Sequence, residues 1–291
     1  MKLATFTESH RRRIGLVEGD TVVDLAAAAP NLPHAMIPFL RAGTPAMEAA
    51  GAAAASGKGR LPLAKVRLEA PVQRPGKVLA IGLNYADHIR EGGRPMPEHQ
   101  IWFAKQATCI VGPTDAIQIP KVSDKIDYEA ELCVVIGRRC RHVPASRAFE
   151  VIAGFMCGND VSVRDWQQRS PTMMMGKGFD THGPTGPWIV TPDEIKDVHA
   201  LPIRCIVNGQ TLQSASTGEM VFKIPAQIEH LTAAFTLEPG DVIFTGTPAG
   251  VGIYRKPPVL LEAGDKVRVE IDGIGAIENA CENERGETTI V

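Results

Sequence analysis

Apolar residues in this chain recur mostly at short, strand-like intervals. Leu3–Phe6 and Ile14–Val17 read as two strands, Glu18-Gly19-Asp20 as a turn, and Thr21–Leu25 as a third strand. Alanine-rich stretches at 26–29 and 46–55 read as helix on propensity alone, and Gly57-Lys58-Gly59 loosens the chain after them. Pro71 and Pro75-Gly76 then punctuate the passage to a second region. From Val78 onward, apolar runs at 78–81, 132–136, 152–156, 188–190, 203–207, 242–244 and 266–271 are separated by Gly, Pro and Asp turns. The segment 224–235 is the best helical period among few. The pattern predicts a β-rich α+β protein, with a small N-terminal domain over 1–70 and a larger domain over 71–291. A doubly wound sheet needs a regular strand–helix alternation that is missing.

The 291 residues, 44% of them hydrophobic and 22% charged, support a sizeable core. A net charge of −2 with mixed signs argues against nucleic-acid and membrane partners, and Arg11-Arg12-Arg13 reads as a solvated hairpin edge. The six cysteines are scattered, with no C-x-x-C pair, as buried thiols of a reducing compartment would be. With neither a secretion-signal pattern nor a run of about 20 apolar residues, a cytoplasmic location is expected.

Candidate chemistry starts at Asp127–Gly137. On a strand, Glu129, Glu131, Cys133 and Val135 share one face, while Ala130, Leu132, Val134 and Ile136 share the other. Two carboxylates running into a buried face require a cation, and carboxylate oxygens suit Mg²⁺, Mn²⁺ or Ca²⁺ better than zinc. Asp160, at the lip of the 151–156 run, offers a third acid. A solvent-facing alternation produces the same E-x-E spacing.

Other polar groups follow. If Asp160 caps a helix, Arg164 and Gln167 lie on its face, presenting a guanidinium fork suited to a carboxylate. Lys177 is flanked by Gly176 and Gly178, but Pro171 and Gly178 break the phosphate-loop pattern. The strand at 242–244 runs into Thr245-Gly246-Thr247-Pro248-Ala249-Gly250, whose amides and Thr247 hydroxyl suit an anion, without dinucleotide spacing. His88 and Glu91, one helical turn apart beside Gly92-Gly93, suit a base and its orienting carboxylate on a movable lid. Each of these also has a plain structural reading as a turn or a surface helix. No serine sits in a G-x-S-x-G elbow.

Taken in order, the stretches 81–88, 127–132, 158–165, 176–180 and 246–252 resemble the fumarylacetoacetate hydrolase family. The resemblance covers roughly residues 75–285 and implies a mixed β-roll, usually dimeric, with a short N-terminal domain. It implies Glu129, Glu131 and Asp160 as ligands of Mg²⁺ or Mn²⁺. Lys177, Arg164 and Gln167 would bind the oxo-acid end or stabilise developing charge. Thr247 would lie in a loop that closes over the substrate carboxylate, and His88 with Glu91 would activate water. The extra aspartate ligand of fumarylacetoacetate hydrolase itself has no counterpart, and Met173-Met174-Met175 is unusual. The expected activity is hydrolytic C–C cleavage of an acylpyruvate-type acid through an enolate. Oxaloacetate decarboxylation, isomerisation of a hydroxymuconate-like dienoate and sugar-acid dehydration are the alternatives on the same site. A metal-binding scaffold protein is the alternative outside enzymes.

Overall fold

The computed structural model describes residues 1–290. Its backbone is a twelve-stranded mixed sheet packed against a five-stranded one, with short helices at the margins. Along the large sheet the strands run in the order Arg60–Pro62, Thr21–Asp24, Arg11–Glu18, Lys2–Glu8, Gly183–Val190, Ile152–Asn159, Ala130–Ile136, Val242–Phe244, Val78–Gly82 and Ile101–Lys105. Most neighbours are antiparallel, but Val242–Phe244 and Val78–Gly82 run parallel. The smaller sheet is built from Gln210–Ser216, Pro202–Val207, Lys266–Ile271, Gly275–Asn283 and Ile117–Ile119. The strands of residues 1–70 run on into the large sheet, since Lys2 pairs with Val190 and Leu3 with Ile189.

Ala130–Ile136 is the central strand, and every residue of it is buried. Leu132, Val134 and Ile136 face a core shared with the small sheet and with the helix Ile224–Ala234. Cys133 and Val135 face a second core closed by Phe39 and Leu40 of the N-terminal region and by Phe244. Only at its open end does this second face turn polar, at Glu131. A two-sided apolar strand of this kind is enclosed by its neighbours, which leaves its last carboxylates at the floor of a cleft.

Several strands escaped the hydrophobic pattern. Arg60–Pro62, Arg67–Glu69 and Ile110–Val111 are too short to show a period, Gln210–Ser216 carries mostly polar residues, and Gly275–Asn283 mixes small, apolar and polar residues with one large apolar side chain, Ile277. The N-terminal helix is longer than its alanine run, spanning Met36–Ala55, and it breaks at Gly43 (φ 68°), two residues before Pro45. A left-handed φ at that break suits glycine, because no Cβ clashes there. Among the described residues no helix is long and apolar enough to cross a membrane. All six cysteines are free thiols, five of them buried.

Candidate active site

The antiparallel pairing of Ala130–Ile136 with Ile152–Asn159 assembles the acids. Ala130 lies opposite Asn159 and Glu131 opposite Gly158, and the next rung joins the Asp160 amide to the Glu129 carbonyl at 2.9 Å. Glu129, Glu131 and Asp160, distant in sequence by up to one strand and its return, each offer an oxygen within 4.8 Å of the others'. Gly158 makes room for the side chains packed beside this pairing, since a Cβ there would stand 2.3 Å from Cys133 Sγ and 2.7 Å from the Phe244 ring.

Buried cations balance the acids. Lys177 Nζ donates to Glu129 Oε2 and Asp160 Oδ2, both at 2.7 Å. Arg164 donates through Nε to Asp127 Oδ2 at 2.8 Å and forms an ion pair through a terminal nitrogen with Glu129 Oε1 at 2.8 Å. That same nitrogen donates to Gln167 Oε1 at 3.0 Å, while the second terminal nitrogen is buried without a partner. Burial alone would raise the Glu129 carboxyl, but the Lys177 and Arg164 charges beside it outweigh burial and hold it at about 2. Glu131 moves the other way: burial first, then the charges of Asp160 and Glu129, push it well above the usual carboxylate range. Among the described residues its one hydrogen-bond donor is the Gly246 amide at 2.7 Å. Hard oxygen donors converging on one point, one of them without a cationic partner, fit Mg²⁺ or Mn²⁺.

Two buried residues were not singled out from the sequence. Lys105 is wholly enclosed and donates to Asp160 Oδ1 at 2.6 Å, to the His182 carbonyl at 3.0 Å and to the Lys177 carbonyl. Asp127 accepts from Arg164 and from the Gly252 and Ile253 amides at 2.7 and 2.9 Å, so one carboxylate ties the arginine to the 251–253 loop. A lysine ending an apolar run, as Lys105 ends Ile101–Lys105, was the available signal, but a solvated strand end shows the same pattern.

Of the remaining expected residues, His88, Gln167 and Thr247 line one cavity of about 580 Å³ that opens above Glu129 and Glu131, and Glu91 stands behind His88. His88 and Glu91 lie on the short helix Ala86–Glu91. Glu91 Oε2 stands 3.2 Å from His88 Nδ1, and the Gly250 amide donates to the same carboxylate at 2.9 and 3.1 Å, which fastens the lid segment to the glycine-rich loop. Asp160 does not cap a helix: the two-residue strand Ser162–Val163 intervenes, and Arg164–Gln167 forms one turn begun by Val163. Pairing of Ser162–Val163 with Ile126–Asp127 takes the backbone that a cap would need. The Thr247 hydroxyl donates to the Ala130 carbonyl at 3.0 Å and accepts from Gln213 Nε2 at 2.8 Å, so it is already engaged. Met173 and Tyr254 complete the wall.

Comparison with known proteins agrees with this architecture. The family model described as fumarylacetoacetate (FAA) hydrolase C-terminal matches residues 77–282, and one described as Rv2993c-like, N-terminal, matches 1–71. An oxaloacetate tautomerase of Xenopus laevis, named mitochondrial, is 45% identical over 285 residues, covering 96% of this chain and 89% of that protein. The human oxaloacetate tautomerase FAHD2A, also named mitochondrial, is 44% identical, with 96% of this chain and 91% of that protein covered. Among solved structures, maleylpyruvate hydrolase from Sphingobium sp. SYK-6, in complex with manganese(II) and pyruvate, superposes with a TM-score of 0.83 at 34% identity, covering 98% of this chain and all (100%) of that one. The chain belongs to the fumarylacetoacetate hydrolase family.

Proposed function

We propose that this protein is a divalent-metal-dependent enzyme that interconverts the keto and enol forms of a small 2-oxo acid, oxaloacetate first among them. One observation carries the reading: three clustered buried carboxylates meet Lys177 and Arg164 at the floor of a cavity lined by Glu129, Glu131 and His88, the last held from behind by Glu91. The names of the curated relatives at 44–45% identity support oxaloacetate as the substrate.

Mg²⁺ or Mn²⁺, held by Glu129, Glu131 and Asp160, would supply charge for the acid's carboxylate and Lewis-acid polarisation of its 2-oxo group. Lys177 donates toward the negative charge that grows on the 2-oxygen as the C3–H bond breaks. His88, aligned through Nδ1 by Glu91, takes that proton on its other nitrogen and delivers it to the 2-oxygen to give the enol; the reverse transfer, from the enol hydroxyl to C3, restores the keto form, so no water is consumed. The unpaired terminal nitrogen of Arg164 and the Gln167 amide orient the substrate's carboxylate. Thr247 contributes its backbone amide, since its hydroxyl is committed to Ala130.

Hydrolytic cleavage of an acylpyruvate is the second reading, favoured by the His88–Glu91 pair, which can equally take a proton from water, and by the maleylpyruvate hydrolase relative. Residues 1–70 and 71–291 are proposed as the two domains, which the abutting family matches support. A homodimer in a reducing compartment is proposed from the family and from the six free thiols, with the cytoplasm or, as in the named relatives, the mitochondrion as its place.

The test follows the ultraviolet decay of enol-oxaloacetate with Mg²⁺ or Mn²⁺, with EDTA, and with Glu129→Gln/Glu131→Gln. Metal-dependent acceleration lost in both controls supports the tautomerase. Release of pyruvate from oxaloacetate would make it a decarboxylase, and pyruvate from an acylpyruvate a hydrolase. Manganese binding without turnover of either acid would leave a metal-binding protein.

A further inference from the structure

On the floor of the cavity and just beneath it, Asp127, Glu129, Glu131 and Asp160 face Arg164, Lys177 and Lys105, of which Glu129, Glu131, Arg164 and Lys177 line the cavity itself, so a divalent ion and one substrate carboxylate complete a nearly neutral set. The outer part of the cavity is different. Its wall is mostly apolar, with Leu83, Ile101, Met173 and Ile253, and it carries one cationic side chain, Arg94. Arg94 is exposed, and its guanidinium forms no ion pair or hydrogen bond among the described residues, whereas the nearby Arg90 is paired with Asp87. It is held at the rim by its backbone: the Arg94 amide donates to the Ile89 carbonyl at 3.1 Å, just after Gly93 turns the chain at φ 61°. The Tyr254 hydroxyl packs against the same bend, 3.1 Å from where a Gly92 Cβ would stand. A cavity of about 580 Å³ exceeds what a three-carbon acid fills, so space remains between the floor and this rim.

We infer that Arg94 is a specificity-determining residue that receives the distal carboxylate of a dicarboxylic 2-oxo acid. The inference rests on the oxo-acid reading above and assigns a partner to the second carboxylate that a substrate such as oxaloacetate carries. An unpaired guanidinium at an apolar rim rewards a second carboxylate and leaves a neutral acyl tail with no polar partner. Because the side chain is exposed, solvent screens the pair, and the expected discrimination is about two- to fivefold, short of what a buried pair gives.

The test uses two five-carbon 2-oxo acids that differ only at the far end, 2-oxoglutarate and 2-oxovalerate, titrated calorimetrically into the Mn²⁺-loaded protein. Wild type binds the dicarboxylate about two- to fivefold more tightly; Arg94→Gln removes that preference while leaving 2-oxovalerate unchanged, and Arg94→Lys keeps part of it. The parallel kinetic readout is a rise in KM for oxaloacetate in Arg94→Gln with kcat retained. Equal affinity of wild type for both acids, or an equal loss of both in Arg94→Gln, overturns the role of Arg94 and leaves the oxo-acid reading intact. Failure of both acids to bind the metal-loaded wild type overturns both.

Discussion

Replacing the Lys177 ammonium by an uncharged chain of similar length, as in Lys177→Met, removes a cation that Glu129 and Asp160 share at 2.7 Å. If that charge also answers the developing enolate, kcat should fall about 10²–10³-fold, the usual cost of one lost donor to an oxyanion. Stopped-flow turnover near the wild-type rate would take Lys177 out of the reaction. His182 makes a separate prediction about stability. Burial pushes its imidazole down to about 4, opposed by the hydrogen bond of Nε2 to the Gln118 carbonyl at 2.8 Å. The folded state thus prefers the neutral ring while the unfolded chain binds a proton near 6.5, so stability is present above that value and is lost as pH falls toward 4. The loss from this one group is about 3 kcal/mol. Thermal unfolding between pH 7.5 and 4.5 should show a steeper decline in wild type than in His182→Gln; parallel curves would refute the assignment.

At the scale of elements, the pairing of Ala130–Ile136 with Ile152–Asn159 does more for the site than any single side chain. Its register brings Asp160 beside Glu129, and Gly158 keeps the space between Cys133 and Phe244 open. A methyl group in that space must displace both neighbours, so Gly158→Ala should destabilise the fold by about 1–3 kcal/mol. It should also weaken Mn²⁺ binding, measured by calorimetry, because Glu131 lies opposite the displaced backbone; unchanged affinity with reduced stability would separate the register from the metal site. Glu129, Glu131 and Asp160 were legible from the sequence because strand alternation and the end of an apolar run are local signals. Lys105 and Asp127 were not: their partners lie 55 and 37 residues away, and nothing local marks a buried lysine or a carboxylate that serves a loop amide. The expected helix cap at Asp160 failed for the same reason, since the pairing of Ser162–Val163 with Ile126–Asp127 outweighs a local cap.

For the whole molecule, the continuity of the large sheet joins the first seventy residues to the site-bearing strands. Lys2–Glu8 covers the edge of Gly183–Val190, which in turn pairs with Ile152–Asn159. A chain of residues 71–291 would expose that edge together with the apolar face now covered by Phe39 and Leu40. Such a chain should aggregate or bind a hydrophobic dye, whereas a soluble, cooperatively folding product by scattering and calorimetry would show that the two parts are independent. Periodicity by itself determined that this is a β-rich α+β protein whose central strand is apolar on both faces, because alternation and burial are written residue by residue. Motif order determined the family and nominated the acids, the lysine, the arginine and the histidine–glutamate pair. Only the tertiary structure decided that Lys177 lies between two of the acids, that Glu91 is fastened to the Gly250 amide, that the Thr247 hydroxyl is engaged, and that Arg94 stands unpaired at the rim. Those facts depend on strand register and loop packing across distant parts of the chain, where electrostatic partners are chosen by proximity in space.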